Sequence, residues 1–71
     1  MLMSYAKLRG KIKEVFGTQD AFANAIGLDC SSVSAKLNNK TEWTRSQIIK
    51  SCHALGIPIE NAPEYFFCQK N

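Results

Sequence analysis

No stretch of this 71-residue chain approaches the ~20 consecutive apolar residues that a membrane-spanning helix needs, so no membrane span is expected. Histidine occurs once, as His53, and the three cysteines, Cys30, Cys52 and Cys68, are odd in number and show no C-x-x-C spacing. That scarcity argues against a zinc site and a disulfide framework and points to reduced thiols. Cys52 and His53 adjoin on an expected helix, where neighbouring side chains diverge by about 100° and do not easily share one ligand or proton. Cys52 is read as a small buried hydrophobe and His53 as a solvated group. Also missing are paired carboxylates, a nucleophile with a base at workable spacing and a glycine-rich phosphate loop. No enzyme, catalytic residue, metal, cofactor or small-molecule substrate is therefore expected. Met1-Leu2-Met3 runs straight into Ser4-Tyr5-Ala6-Lys7 and charges then recur up to Glu14, which is not a signal peptide, so the expected location is the cytoplasm.

What is present suits a small globular domain. With 45% apolar and 21% charged residues the chain can fold, and its length fits one domain over residues 1–71 of modest stability, burying ~60 to 65% of its unfolded surface. Nine Lys and Arg stand against six Asp and Glu, and the resulting net charge of +3 leans toward a polyanionic partner. Lys7, Arg9, Lys11 and Lys13 crowd the first expected helix, where they read as a solvated face opposite an apolar stripe. Lys36, Lys40 and Arg45 fall farther along, in a region where acidic residues are sparse.

No repeat, low-complexity tract or linker interrupts the chain, and its periodicity reads as five short helices, an all-α fold. Helix 1 is expected over Ser4 to Phe16, with Tyr5, Leu8, Ile12 and Val15 forming one buried stripe. Gly17 ends it, Thr18 caps helix 2, and Asp20 places a negative charge in that helix's first turn. Helix 2, about residues 18–26, buries Phe22, Ala23 and Ile26. Gly27 then supplies the positive φ that a quick reversal needs. Asp29 is the natural N-cap of helix 3, about residues 30–38, with Leu28 as a staple on Val33. A methyl at Ala23 permits the close crossing that this turn demands.

On a wheel of ~100° per residue that takes Cys30 as zero, Val33 and Leu37 fall near 300° and 340° and mark the buried side. Ser31, Ser34, Ala35 and Asn38 fill an arc of about 40° to 140° that faces away, while Ser32 and Lys36 lie on the other flank near 200° and 240°. The arc holds hydroxyls, a carboxamide and a methyl, groups small enough for a major groove. Helix 4 begins with Thr44 as cap and Gln47 reaching back, with Trp43 packing on Ile48. The alternative role for Trp43 is an indole edge that touches DNA or a protein partner. Ile48, Ile49, Cys52 and Leu55 continue the core stripe up to Gly56. Ile57, Ile59, Tyr65, Phe66 and Phe67 in the tail need cover. Either a short helix begun near Asn61 and Pro63 folds them over helices 1 and 4, or they form a homodimer contact.

Gln19, Ala23, Gly27, Leu28, Val33 and Leu37 stand where Cro and CI-type helix-turn-helix regulators place their Gln, Ala, Gly and apolar positions, so the chain resembles that family. Leu37-Asn38-Asn39-Lys40-Thr41-Glu42-Trp43 is similar to the L-N-G-K-T-x-W run of small temperate-phage members, with Asn39 in place of the glycine. Tyr5-x-x-Leu8-Arg9-Gly10-Lys11-Ile12 and Glu64-Tyr65-Phe66-Phe67 resemble the same group, which extends the likeness over nearly the whole chain.

The resemblance implies a five-helix lambda-repressor-like domain whose helix 3 enters the major groove. It implies Cys30, Ser31, Ser34, Ala35 and Asn38 as contacts to bases or a partner. Gln19, Ser32, Lys36, Lys40, Thr41 and Arg45 become phosphate contacts. It leaves Trp43, Tyr65, Phe66 and Phe67 as further partner contacts. Better readers of the family carry Gln, Arg or Lys where this chain has Cys30 and Ala35, and each such bidentate pair adds roughly 1–3 kcal/mol of discrimination. Two functions follow for a bacterial host's cytoplasm. One is a Cro-like binder of double-stranded operator DNA in the lysis/lysogeny switch, as a homodimer with recognition helices about 34 Å apart. The other is an antirepressor that binds the phage repressor's own helix-turn-helix domain by protein contact.

Overall fold

The computed structural model describes residues 3–68 and is all-helical: α1 Ala6–Phe16, α2 Gln19–Ala25, α3 Cys30–Leu37, α4 Arg45–Leu55 and α5 Ala62–Phe66, the last preceded by a 3₁₀ turn over Ile59–Asn61. No helix among the described residues is long and apolar enough to cross a membrane. The helix boundaries follow local chemistry. The Thr18 hydroxyl accepts from the Ala21 N–H at 3.2 Å at the start of α2. At the start of α4 the Thr44 hydroxyl accepts from the Gln47 N–H and the Gln47 side chain accepts from the Thr44 N–H, a reciprocal capping box. The first helix starts two residues later than its apolar pattern suggests, with Tyr5 as its N-cap, because Met3 and Ser4 are used elsewhere.

The end of α3 shows where they are used. Asn39 takes φ 63°, the one non-glycine at positive φ among the described residues. The Asn39 and Lys40 N–H groups close the helix onto the carbonyls of Lys36 and Ala35 at 3.2 and 2.9 Å. Asparagine thus takes a conformation that favours glycine, and its side chain adds something glycine cannot. Its Oδ1 accepts from the Met3 N–H at 2.8 Å and its Nδ2 donates to the Met3 carbonyl at 3.0 Å. The Ser4 N–H meets the Cys68 carbonyl at 2.6 Å, so the two end segments and the exit of α3 are tied together.

The core is built from Tyr5, Leu8 and Ile12 of the first helical segment, Phe22, Ala23 and Ile26 around α2, Val33 and Leu37 of α3, Cys52 and Leu55 of α4, and Ile57, Ala62 and Phe66 beyond. Four rings run through it in sequence: Phe16 to Phe22 with centroids 5.8 Å apart, Phe22 to Trp43 at 6.5 Å, and Trp43 edge-on to Phe66 at 5.1 Å. The aromatic tail therefore folds back over α1 and α4, and Phe66, at 1% exposure, is withdrawn from the partner-contact role assigned to it. Tyr65 is half-buried, while Phe67 is exposed.

Two expected core positions prove to be exposed. Val15 lies outside because the last turn of α1 uses its Phe16 edge, whose ring meets Phe22. Ile49 lies outside because the buried arc of Ser51, Cys52 and Leu55 centres on Ile48, and Ile49 stands about 100° around the helix from it. Ser51 tolerates complete burial because its hydroxyl donates to the Gln47 carbonyl one turn back at 2.7 Å.

The clasp between Asn39 and Met3 carries a stability prediction. Asn39→Gly relaxes the backbone but removes two part-buried hydrogen bonds of about 0.5–1.5 kcal/mol each, and a net loss of about 1 kcal/mol is expected. Asn39→Ala loses the same bonds and keeps the positive φ, for about 1 kcal/mol more. Urea unfolding should rank wild type above glycine above alanine. A glycine variant at least as stable as wild type overturns the role given to the clasp.

Candidate interaction face

Helices α2 and α3 are joined by a turn of fixed shape. Gly27 takes φ 76°, its N–H meets the Asn24 carbonyl at 3.3 Å, and the Leu28 N–H returns to the Ala23 carbonyl at 2.9 Å. This pair of bonds is a Schellman closure, which only a residue free to adopt positive φ completes without strain. Ala23 is buried at the crossing and Leu28 packs, half-buried, on the cluster that contains Val33. At the start of α3 the Asp29 carboxylate accepts from the Ser32 N–H at 2.9 Å.

On this scaffold Cys30, Ser31 and Asn38 are exposed and Ser34 and Ala35 half-buried, so the outward arc expected from the wheel is one surface. Its far end is already engaged internally. The Asn38 Nδ2 donates to the Ser34 hydroxyl at 3.3 Å, while its Oδ1 accepts from Arg9 Nη2 at 3.0 Å. The same guanidinium nitrogen donates to the Leu37 carbonyl at 3.2 Å, bringing positive charge to the C-terminal end of α3. Arg9 had read as one of several solvated cations on helix 1. Nothing in helical periodicity reveals a contact made across 29 residues of sequence.

The phosphate set divides. Lys40, Thr41 and Arg45 are exposed, and Gln19 and Ser32 are half-buried. Lys36 is not free for a phosphate: it is 8% exposed, its Nζ donates to the Glu42 carbonyl at 3.0 Å, and the ammonium lies 5.9 Å from the centre of the Trp43 ring. At about 240° on the wheel the residue borders the buried side, so its stem lies along Trp43 with the charge at a carbonyl. Trp43 itself is half-buried, and its Nε1 is enclosed with no acceptor among the described residues. Tyr65 lies beneath Lys7, whose Nζ is 5.5 Å from the ring centre and 3.2 Å from Glu64.

The fold also brings in acid that linear spacing hides. Asp20, in the first turn of α2, lies against Cys30, the first residue of α3, with Asp29 on its other side. Interaction of the thiol with the Asp20 carboxylate first, then some loss of hydration, then the charges of Asp20 and Asp29 hold the Cys30 thiol above its ordinary pKa. Asp29 moves the opposite way, held below the usual carboxylate value by hydrogen bonds from the Ser32 side chain and backbone. The front of α3 therefore carries two exposed carboxylates, and its own one charged residue, Lys36, is turned away. Among the described residues no group of three His, Cys, Asp or Glu is placed to hold a metal ion.

α2, the Gly27 turn and α3 thus form a helix-turn-helix arrangement with a small, polar, acid-flanked outer face. The chain belongs to the family described as "Protein of unknown function (DUF739)", whose model matches residues 1–69. It is similar to the modulator of repression (MOR) of the temperate bacteriophage TP901-1 from Lactococcus lactis, known from a solution structure. The two are 45% identical, the match covers 94% of this chain and 90% of that one, and the TM-score is 0.81. No curated protein matches. Of the two functions expected from the sequence, this likeness backs the modulator of repression better than the Cro-like DNA binder.

Two measurements check the electrostatics. Lys36→Ala should lower the unfolding free energy by roughly 1–2 kcal/mol through lost packing and a lost hydrogen bond, whereas Lys40→Ala should stay within about 0.5 kcal/mol of wild type. Equal effects overturn the buried role of Lys36. Because the folded pKa of Asp29 lies below its unfolded value of about 3.9, the unfolded chain takes up the proton first on acidification. Its contribution is complete above the unfolded value and is lost as pH falls through the folded one. Asp29→Asn keeps the capping oxygen, so it should match wild type near pH 7 and show a shallower loss of stability in acid.

Proposed function

We propose that this chain is a phage modulator of repression that lays its α2–α3 face on the DNA-reading domain of a repressor and acts by protein contact, without catalysis, inside the bacterial host. The observation that carries the reading is the charge of the face. The front of α3 presents Asp20 and Asp29, and its lysine is folded onto Trp43. A surface that binds duplex DNA must neutralise phosphates and is therefore basic. An acid-flanked face of Ser and Ala complements such a surface and repels the duplex itself. The likeness to the TP901-1 modulator of repression supports the same partner class.

DNA contact is the second reading, resting on Lys40, Thr41 and Arg45, which are exposed around the entry to α4. Mixing this protein, a temperate-phage repressor with a helix-turn-helix domain and labelled DNA carrying that repressor's operator, pairwise and together, separates the two. The protein reading expects a stable complex with the repressor, release of the repressor from DNA and no specific retardation of DNA by this protein at low salt. Asp20→Lys should weaken the repressor complex by about tenfold or more, and added salt should weaken the wild-type complex. Specific retardation of DNA by this protein alone, abolished by Lys40→Ala and Arg45→Ala, overturns it.

A further inference from the structure

A second surface lies on α4, away from the face of α3. Ile49 is 40% exposed and lines an open groove of about 790 Å³ between the end of α2 and the outer side of α4, together with Asn24, Ala25, Lys50, His53 and Ala54. None of the contact residues of α3 lines it. The floor is apolar and the rim carries the Lys50 ammonium and the His53 imidazole, and α4 contains no acidic residue. Lys50 makes no salt bridge among the described residues. A basic residue in the last turn suits the helix dipole, which accounts for His53 but for neither Lys50 nor the exposure of Ile49.

We propose that this groove is a docking site for an acidic amphipathic helix of another protein. One apolar side chain of that helix would rest on Ile49 and Ala54 while its carboxylates meet Lys50 and His53. Phosphate alone has no use for the apolar floor, which sets the surface apart from a DNA backbone contact. A second copy of this chain fits less well. Two described segments join exposed apolar residues to carboxylates, Val15 with Glu14 and Ile59 and Phe67 with Glu60 and Glu64, but Glu14 is already paired with Lys11 and Glu64 with Lys7. A head-to-tail contact of that kind also does not close into a dimer. Because the groove and the α3 face share no contact residue, both can be occupied at once, and the molecule can bridge two partners.

The test uses the isotope-labelled full chain and an end-capped peptide of about 16 residues, long enough to populate a helix. The peptide carries leucine along one face and glutamate on the flanks, and its control has lysine for glutamate. The glutamate peptide should shift the backbone amides of Asn24, Ala25, Ile49 and His53 saturably and leave those of Ser31 and Ser34 in place. Lys50→Glu and Ile49→Ser should each weaken it about tenfold, the second without any change of charge, and both sites are exposed enough to spare the fold. Four outcomes overturn the proposal. One is no saturable shift, and another is equal response to the lysine control. The third is the same shifts on diluting or concentrating the protein alone, which assigns the groove to a second copy. The last is the same shifts with random duplex DNA, insensitive to Ile49→Ser. None of these bears on the repressor complex, whose own test rests on Asp20.

Discussion

Trp43 is the contact on which the remainder of the molecule turns. It sits in the loop between α3 and α4, belongs to neither helix, and places its ring between Phe22 of α2 and Phe66 of α5. A domain of 71 residues has little apolar area to spare, so an aromatic that joins three segments does what a larger protein would distribute over many side chains. The same ring also determines the chemistry of the outer face. By drawing Lys36 over itself and directing the ammonium to the Glu42 carbonyl, it removes the one cation of α3 from the surface. The packing of the core and the charge of the interaction face are thus consequences of a single side chain.

Much of the fold is legible along the chain because helix ends are local events. Thr18, Asp29 and the Thr44–Gln47 pair form the caps their spacing implies, and Gly27 and Gly56 take positive φ where a helix must reverse. Asn39 stands out in the sequence as a replacement for glycine, and the replacement is what gives Met3 its partner. Burial that depends on which neighbour arrives is not legible in the same way. Ser51 reads as a surface residue until its hydroxyl is seen to bond one turn back, and Ile49 reads as core until Ser51 takes the inner arc. Lys36 and Arg9 read as solvated cations, and each instead spans to a distant carbonyl because another segment lies within reach.

The interaction face shows the same division. Its outline over Cys30, Ser31, Ser34, Ala35 and Asn38 follows from the helical wheel alone. Its charge does not, since Asp20 belongs to a different helix and meets Cys30 only after the Gly27 turn is made. A helix-turn-helix scaffold is compatible with reading DNA or with docking on a protein, and the arrangement of backbone does not choose between them. The charge beside the first residue of α3 bears on that choice, and Asp20, unlike Asp29, reaches it only through the tertiary contact.

The face is also held still. Asp29 fixes the N-terminal end of α3 through Ser32, while Arg9 and the Asn39–Met3 pair fix the other end. Serine and alanine lose little rotamer freedom on being covered, whereas long side chains such as Gln, Arg and Lys lose about 1.5–2 kcal/mol each. A rigid surface of short residues therefore gains little per contact and loses little in ordering, which suits a reversible complex governed by shape and charge. Duplex recognition requires the opposite balance, with long donors reaching base edges and cations along the backbone. The side chains of α3, the acids before it and the anchoring at both ends are mutually consistent with a protein surface as their target.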